Sequence, residues 1–394
     1  MKPTVNQKYI ILQGLFWMLY CATTGFISLC LLSRGLNNKE IGIVTASFGI
    51  ISAVLQPLLG RICDQSLHMN WKQMIILLTI PVVIIYMLMT ILSGKVWGIL
   101  FVGMLLLLGN TIIPFINSAL SDYQHQNIPI NFGIARGTGS MMYALLALLI
   151  GKMALSYGTH AVSVSGIVIS GFFLAVTLWM PCDDSQREKS VELARNRKGF
   201  VRRYPSFIMM FLAFIFLSTS HNLVGTYLLQ LIQSLGGTSE EFGIAIAIQA
   251  VVEVPVLFAF TAIMKKINVQ RIMLISVVGY GVKAIWYAVA GSVLAIYLVQ
   301  FTQMISFALF ASASVYYVMK EIDREDQVTG QALMTSIMAI GTVIGSFTGG
   351  VLIDQYGMKA MLTVNVFVAL AGIILAFISV MVVAPVHVKK TIRV

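Results

Sequence analysis

Residues 133–151 read GIARGTGSMMYALLALLIG, an apolar run that carries one arginine, Arg136, near its start. The run approaches the length of a bilayer-spanning helix, which needs about 20 apolar residues. An unpaired charge in hydrocarbon costs roughly 2.5–3.5 kcal/mol on insertion scales. Arg136 therefore needs a partner or a water-lined cavity, and finding that partner is a route to the function of the protein.

The composition indicates an integral membrane protein. Hydrophobic residues make up 58% of the 394 residues, charged residues make up 10%, and the mean hydropathy is +0.89. A soluble chain carries about 25% charged residues. The apolar runs are continuous, which favours helices over the alternating strands of about 10 residues in a β-barrel. We predict an all-α membrane fold with twelve transmembrane helices, at residues 8–32, 40–63, 73–94, 96–120, 134–157, 160–180, 205–233, 241–264, 271–291, 293–318, 329–353 and 359–384.

The loop lysines and arginines predict the topology. With the N-terminus inside, most of them fall on one side, which is the positive-inside pattern of a protein with both termini in the cytoplasm. The other side keeps only Arg34, Lys39, Lys95, Lys152 and Lys359. We therefore interpret the net charge of +11 as a sign of membrane orientation and of contact with anionic lipid, and not of nucleic-acid binding. The first apolar run lacks a signal-peptide cleavage site, so we expect a multi-pass protein of the cell (cytoplasmic or inner) membrane.

The chain divides into two similar halves around a charged stretch. SRGLNNKEIGIV at 33–44 is echoed by SLGGTSEEFGIA at 234–245, and GIARGTG…LSYG at 133–158 is echoed by GQALMTS…DQYG at 330–357. Parallel repeats of this kind are typical of transporters that bind their substrate between the repeats. We predict an N-terminal six-helix bundle at 1–181, a cytoplasmic basic linker at 182–204 and a C-terminal six-helix bundle at 205–394.

A glycine followed four residues later by an aspartate ends the second span, in GRICD at 60–64, and Gly350 with Asp354 forms a looser version after the eleventh. The glycine permits close approach of helices, and the aspartate can interact with the N-terminus of a neighbouring helix. Together with the twelve spans and the duplication, this turn resembles the loop signature of the major facilitator superfamily of transporters. The resemblance implies gating roles for Gly60, Asp64 and Asp354.

A narrower resemblance is carried by QPLLG at 56–60, FWMLY at 16–20 and FGIAR at 132–136. These segments look like the lactose permease branch, which comprises oligosaccharide:proton symporters and their nucleoside and aromatic-acid relatives. In lactose permease the arginine of the FGxAR segment binds the sugar, and an aromatic residue seven positions later stacks on the sugar ring. The resemblance implies that Arg136 binds the substrate and that Tyr143 stacks on it. Seven residues are close to two helical turns, so both side chains share a helix face.

Two further charged residues lie within predicted spans. Glu253 is the only acid in the interior of the eighth span, and Lys283 is the only base in the interior of the ninth. Such residues are functional-site hypotheses by default. Since an isolated buried charge is expensive, Glu253 is the expected partner of Arg136 or Lys283. An acid whose proton affinity differs between two conformers is also what a proton-coupled carrier requires.

The tenth span departs from the family pattern. Lactose-type members carry a histidine and a glutamate there for proton coupling, where this chain has Gln303 and Ser306. Proton coupling is therefore either absent or carried by another group, for which the candidates are Glu253, Asp122 and His221. The complete set of predicted substrate-binding residues is Arg136, Tyr143, Asn117, Tyr20, Gln249, Glu253, Lys283 and Gln303. Amides and aromatic rings in one cavity suit a sugar, because they satisfy its hydroxyls and cover its C–H face.

We therefore expect a secondary active transporter that moves a small polar solute, most readily a sugar or oligosaccharide, by proton-coupled symport with alternating access. Open alternatives are a nucleoside or aromatic-acid symporter, a drug efflux carrier, and, in another class, a non-transporting membrane sensor or scaffold. No Ser/His/Asp set, HExxH pattern or P-loop spacing occurs in the sequence, so we do not expect an enzyme. The expected partners are the solute and the bilayer, with the proton gradient in place of a cofactor, no metal, and a monomeric state.

Overall fold

The computed structural model describes residues 4–65, 69–182, 200–323 and 327–383, and all regular elements within these ranges are helical. The first half of the chain contains α1 (Val5–Tyr20), α2 (Ile27–Leu32), α3 (Asn38–Gln65), α4 (Trp71–Ile91), α5 (Lys95–His125), α6 (Phe132–Tyr157) and α7 (His160–Trp179). The second half contains α8 (Phe200–Arg203), α9 (Pro205–Thr226), α10 (Leu228–Ser234), α11 (Ser239–Lys266), α12 (Val269–Val289), α13 (Val293–Gln300), α14 (Leu309–Glu321) and α15 (Gln327–Ile378).

These helices form twelve membrane crossings. Ten helical stretches in the described residues are long and apolar enough to span a bilayer by themselves. A further crossing consists of α1 and α2, which a π-helical turn at Cys21–Gly25 connects. The last stretch, α15, counts as two crossings, because Gly357 breaks it with a left-handed φ of 83° and ψ of 171°. The prediction of twelve transmembrane helices is confirmed.

The loops between crossings lie at two faces of the protein. The terminal face carries the start of α1 and residues 126–131, and the opposite face carries residues 33–37 and 92–94. That the terminal face is cytoplasmic stays a prediction from the basic residues. Most of the predicted linker, residues 183–199, lies outside the described residues, so the predicted domain boundaries at 181 and 205 also stay predictions.

Polar caps determine where several helices begin. Asn70 accepts a hydrogen bond from the backbone of Gln73, which bonds back to the Asn70 backbone, and the two form a capping box ahead of α4. Thr238 and Glu241 form the same arrangement ahead of α11. These caps satisfy backbone N–H groups that have no partner within the helix. They also set the length of the loops, and thus the depth at which each span places its polar residues.

The two halves contact each other most closely at the opposite face. There α6 packs against α11 and α3 packs against α15. A Cβ atom added to Gly151 of α6 would lie only 2.8 Å from the Cα of Gly243 in α11. Small residues allow membrane helices to approach in this way. Towards the terminal end of α3, in contrast, the position of a Cβ on Gly60 has no atom within 4 Å.

Candidate substrate and proton site

A continuous chain of polar side chains lies in the second half of the protein. Gln303 Nε2 donates to Glu253 Oε1 at 2.9 Å, and Lys283 Nζ donates to Gln303 Oε1 at 2.5 Å. Lys283 Nζ also lies 3.5 Å from His221 Nδ1. The exposed fractions of Glu253, Lys283 and Gln303 are only 8%, 4% and 1%. The amide of Gln303 therefore joins a buried carboxylate to a buried ammonium.

The backbone is irregular where this chain is assembled. Gln303 ends a 3₁₀ turn, Phe301–Gln303, and a π-helical turn, Met304–Ala308, follows before α14 begins. On α11, Pro255 lies inside the helix two residues after Glu253. π-helical turns are frequent at functional sites, because they redirect side chains and free backbone groups. Regular helices would give these side chains a different rotation about the helix axis.

Arg136 lies on α6, which packs against the helix that carries Glu253. Its Nη1 donates to Ser140 Oγ at 2.7 Å, and its guanidinium lies 4.0 Å from the centroid of the Trp17 ring. Trp17 is held in turn by Gln13, whose Oε1 accepts from the indole Nε1 at 3.0 Å. Arg136 is half-buried. Among the described residues, the ion pair within 4.0 Å is Lys95 with Glu40, far from this site.

The expected contact between Glu253 and a cation therefore takes a different form. Glu253 is close enough to interact electrostatically with both Arg136 and Lys283, but neither cation touches it. Gln303 occupies the hydrogen-bonding position beside the carboxylate, and Arg136 is turned towards Ser140 of its own helix. Glu253, Lys283 and Gln303 were named as site residues from the sequence, but it was not predicted that Gln303 would join the other two.

Two predicted aromatic residues line the first half of the site. Tyr20 donates from its hydroxyl to Asn110 Oδ1 at 3.0 Å, and Gln56 Nε2 donates to the backbone oxygen of Asn110 at 3.2 Å. Tyr143 is half-buried, and its hydroxyl lies against the π-helical turn of the first span, 2.9 Å from where a Cβ on Gly25 would be. The side chain of Tyr143 thus lies in the interface between its own helix, α6, and the first span.

Of the other predicted site residues, Gln249, Asn117 and Asp122 have no described hydrogen bond to this chain, whereas His221 contacts it. Gln249 lies one turn before Glu253 on α11 and is half-buried. Asn117 is exposed on α5, and Asp122 is half-buried close to the terminal end of the same helix. His221 joins the chain through Lys283 and stacks on Phe307, with ring centroids 5.7 Å apart.

The predicted gating residues differ in what the structure shows of them. Asp354 accepts hydrogen bonds from Asn38 Nδ2 at 2.9 Å and from the Lys39 backbone N–H at 2.7 Å, so its carboxylate lies at the N-terminus of α3. The remaining described hydrogen bonds between the halves lie at this same face, from Tyr227 and Gln230 to Asn38 and from Ser28 to Thr226. The side chain of Asp64 lies outside the described residues.

Asn38, Gln13 and Ser140 are among the contributors that were not predicted as site residues. The sequence held a signal for two of them. Gln13 lies four residues before Trp17, and Ser140 lies four residues after Arg136, which is the spacing of neighbours on one helix face. Asn38 opens a helix, where asparagine commonly acts as a cap, but its partner is 316 residues away in the chain.

Twelve crossings in two bundles, with charged side chains buried where α6 meets α11, define a multi-pass membrane protein of the transporter type. A family model described as the MFS_1 like family matches residues 9–364, and the chain belongs to this family. No curated protein matches the chain significantly in sequence.

Solved structures show the same fold. The nucleoside transporter NupG is 17% identical, with 96% of this chain and 98% of that chain covered and a TM-score of 0.78. The peptide transporter POT, as a single-site mutant in complex with alafosfalin, is 14% identical, with coverages of 95% and 94% and a TM-score of 0.71. A bacterial homologue of the human lysosomal transporter Spinster, in an inward-facing and unoccupied conformation, is 15% identical, with coverages of 96% and 96% and a TM-score of 0.67.

These comparisons confirm the resemblance to the major facilitator superfamily and the transporter fold. They also confirm that the protein is not an enzyme, since the family and the structural neighbours are transporters. At these identities the neighbours establish the fold alone. The solute and the coupling ion have to be argued from the side chains.

Proposed function

We propose that this protein is a secondary active transporter that moves a small hydroxyl-bearing solute, a sugar or oligosaccharide, by proton-coupled symport. The observation that carries the proposal is the buried chain Glu253–Gln303–Lys283, which lies beside Arg136 where the two bundles meet. A protein whose only task is structural gains nothing from burying these charges, because hydrophobic packing of the same volume is as stable or more so.

Glu253 is the proposed proton carrier. It lies midway along α11, and a hydrogen bond from an amide, which does not itself titrate, holds its carboxylate. Rocking of the bundles would change the access of water to this carboxylate and its distance from Arg136. Proton affinity would then differ between the two conformers, which is the condition for coupling. His221 and Asp122 are the alternative carriers.

The solute would bind between Arg136 and the aromatic residues of the first span. The Arg136 guanidinium and Trp17 present donors and an apolar ring face side by side. Further hydrogen bonds to the hydroxyls of the solute would come from Tyr20, Tyr143, Gln249 and the exposed Asn117. Substrate hydroxyls could then leave water without losing hydrogen bonds.

Access to the site would alternate through the contacts at the opposite face. Asp354 on the N-terminus of α3 holds that face closed, and its release would let the two bundles separate there. Contacts of this kind favour one of two discrete arrangements rather than a continuum. We propose that the protein acts as a monomer in the cell membrane, driven by the proton gradient.

The test is Glu253→Gln in proteoliposomes. We expect uphill sugar uptake driven by an imposed proton gradient to be lost, while exchange of sugar at equal concentrations continues, because exchange needs no net proton movement. Glu240→Gln is the matched control, since Glu240 lies on the same helix at the opposite face. Loss of both activities, or of neither, would rule out Glu253 as the coupling group.

A nucleoside is the second candidate solute. NupG aligns along nearly the whole chain with a TM-score of 0.78, against 0.71 for the peptide transporter. A nucleoside offers sugar hydroxyls and a planar base, which a tryptophan or tyrosine ring can stack against. Competition of uridine and adenosine against labelled sugar decides between the two. A sensor or scaffold would instead keep its activity in Arg136→Ala and Glu253→Ala.

A further inference from the structure

The charges of the site do not balance. Lys283 and Glu253 are linked through Gln303, and Glu253 also interacts electrostatically with Arg136. Arg136 is the second cation of the site, and it forms no ion pair within 4.0 Å with any acid among the described residues. Asp122 lies beyond the membrane-spanning stretch Lys95–Leu120, three residues before the terminal end of α5. Among the described residues, Glu253 is the one acid that interacts with both cations, so the site carries one more positive charge than negative charges.

The geometry of Arg136 leaves part of its guanidinium available. Trp17 covers a face of the group at 4.0 Å, and the one described hydrogen bond, from Nη1 to Ser140 Oγ, uses one of its five N–H donors. The remaining donors lie in the plane of the group, along its edge. Gln13 fixes the orientation of the ring beneath it, because its Oε1 accepts a hydrogen bond of 3.0 Å from Trp17 Nε1. The edge is therefore held in place before any solute arrives.

A carboxylate fits this edge better than a hydroxyl does. A guanidinium presents parallel N–H donors that match the two oxygens of a carboxylate. A neutral hydroxyl would satisfy a donor but would leave the charge without compensation in a region of low dielectric constant. Lys283 is less suited to this role, because it is 4% exposed and already donates to Gln303.

We propose that the transported sugar is a monoanionic sugar acid, such as a uronic or aldonic acid, whose carboxylate binds the free edge of Arg136. The inference rests on the proposed sugar transport and makes it more specific. In the loaded state the carboxylate neutralises Arg136, and the hydroxyls of the same solute meet Tyr20 and the neighbouring amides.

The test uses two solutes that differ only at one carbon. Glucuronate carries a carboxylate where glucose carries a hydroxymethyl group, and both can be measured by counterflow in proteoliposomes of the purified full chain. We expect the apparent affinity for glucuronate to be tighter by about tenfold or more, the ratio that corresponds to 1.4 kcal/mol. In Arg136→Gln this preference should be lost, and Arg136→Lys should keep part of it. Lys152→Gln is the matched control, because Lys152 is an exposed base on the same helix.

A second measurement covers variants that no longer transport. Thermal unfolding of the detergent-purified protein should be shifted upwards by glucuronate in the wild type and in Lys152→Gln, but not in Arg136→Gln, since a ligand that binds only the native state stabilises it. Equal affinity for glucose and glucuronate, or an unchanged preference in Arg136→Gln, would overturn the inference and leave sugar transport standing. Exchange of uridine with no exchange of any sugar would overturn both.

Discussion

The hydrogen bonds of Asp354 predict how firmly the opposite face is closed. The carboxylate accepts from Asn38 Nδ2 at 2.9 Å and from the Lys39 N–H at 2.7 Å, and it thereby places a negative charge at the N-terminus of α3. Asp354→Asn removes the charge and keeps the shape. Because the side chain is exposed, we take the helix-terminus interaction at about 0.3–1 kcal/mol. The population in which this face is open should rise by a factor of roughly 2 to 5.

Distances between two spin labels would measure this population. Tyr157 in the first half and Val289 in the second are exposed residues near the opposite face, so Tyr157→Cys and Val289→Cys provide label sites in a background without the native cysteines. We expect a dominant short-distance population and a minor longer-distance population in the parent protein. Asp354→Asn should increase the longer-distance population by the stated factor, and Asn38→Ala should have a similar effect.

Glu40→Gln is the control for this experiment. Glu40 is also an acid at the start of α3, but its 2.6 Å ion pair with Lys95 joins two residues of the same half. Removing that pair should leave the distance between the halves unchanged. The reasoning is refuted when Asp354→Asn produces the same distance distribution as Glu40→Gln.

Two further substitutions probe the site. Gln303→Leu leaves the carboxylate of Glu253 and the ammonium of Lys283 without their shared partner. The free energy of unfolding should decrease by about 1–3 kcal/mol for each unsatisfied group, which lowers the midpoint of thermal unfolding. An unchanged midpoint would contradict the described chain. Trp17→Leu removes the ring beneath Arg136, and solute affinity measured by counterflow should fall roughly two- to thirtyfold, corresponding to about 0.5–2 kcal/mol. Trp17→Phe, which keeps a ring, should lose less affinity than Trp17→Leu.

The crossings were predictable because the bilayer imposes a length and a composition on each one. The span predicted at 134–157 is observed as Phe132–Tyr157, and the pair at 329–353 and 359–384 is observed as a helix broken at Gly357. Caps and glycines mark these boundaries locally. No information from distant parts of the chain is needed to find them.

The partners of the buried charges could not be predicted in the same way. Which face of α1 meets α6 decides whether Arg136 contacts Trp17 or an acid, and a single sequence does not specify the rotation of one helix against another. The role of Gln303 depends on the 3₁₀ and π-helical turns around it, which shift its direction relative to a regular helix. Residue type therefore indicated a polar site, and backbone irregularity decided its connections.

The contacts of Arg136 explain how a charged residue is tolerated within a membrane-spanning helix. A hydrogen bond from a charged group contributes about 1.5–3 kcal/mol and a cation–π contact about 0.5–2 kcal/mol, against an insertion cost of roughly 2.5–3.5 kcal/mol. Ser140 and Trp17 therefore offset a large part of the cost without an acid in direct contact. The positive charge of Arg136 is not neutralised by these two neutral groups, so it remains available for a solute carboxylate.

If the protein works as proposed, this arrangement separates the solute-binding group from the proton-binding group while the two still interact electrostatically. If Glu253 formed a direct ion pair with Arg136, protonation of Glu253 would leave Arg136 without that partner. Because Gln303 holds the carboxylate instead, a proton can bind Glu253 without breaking the contacts of Arg136. The charges of Glu253 and Arg136 still act on each other. A solute carboxylate on Arg136 and a proton on Glu253 would then promote each other's binding, because each reduces the electrostatic cost of the other, and such reciprocal binding would favour the transport of both together.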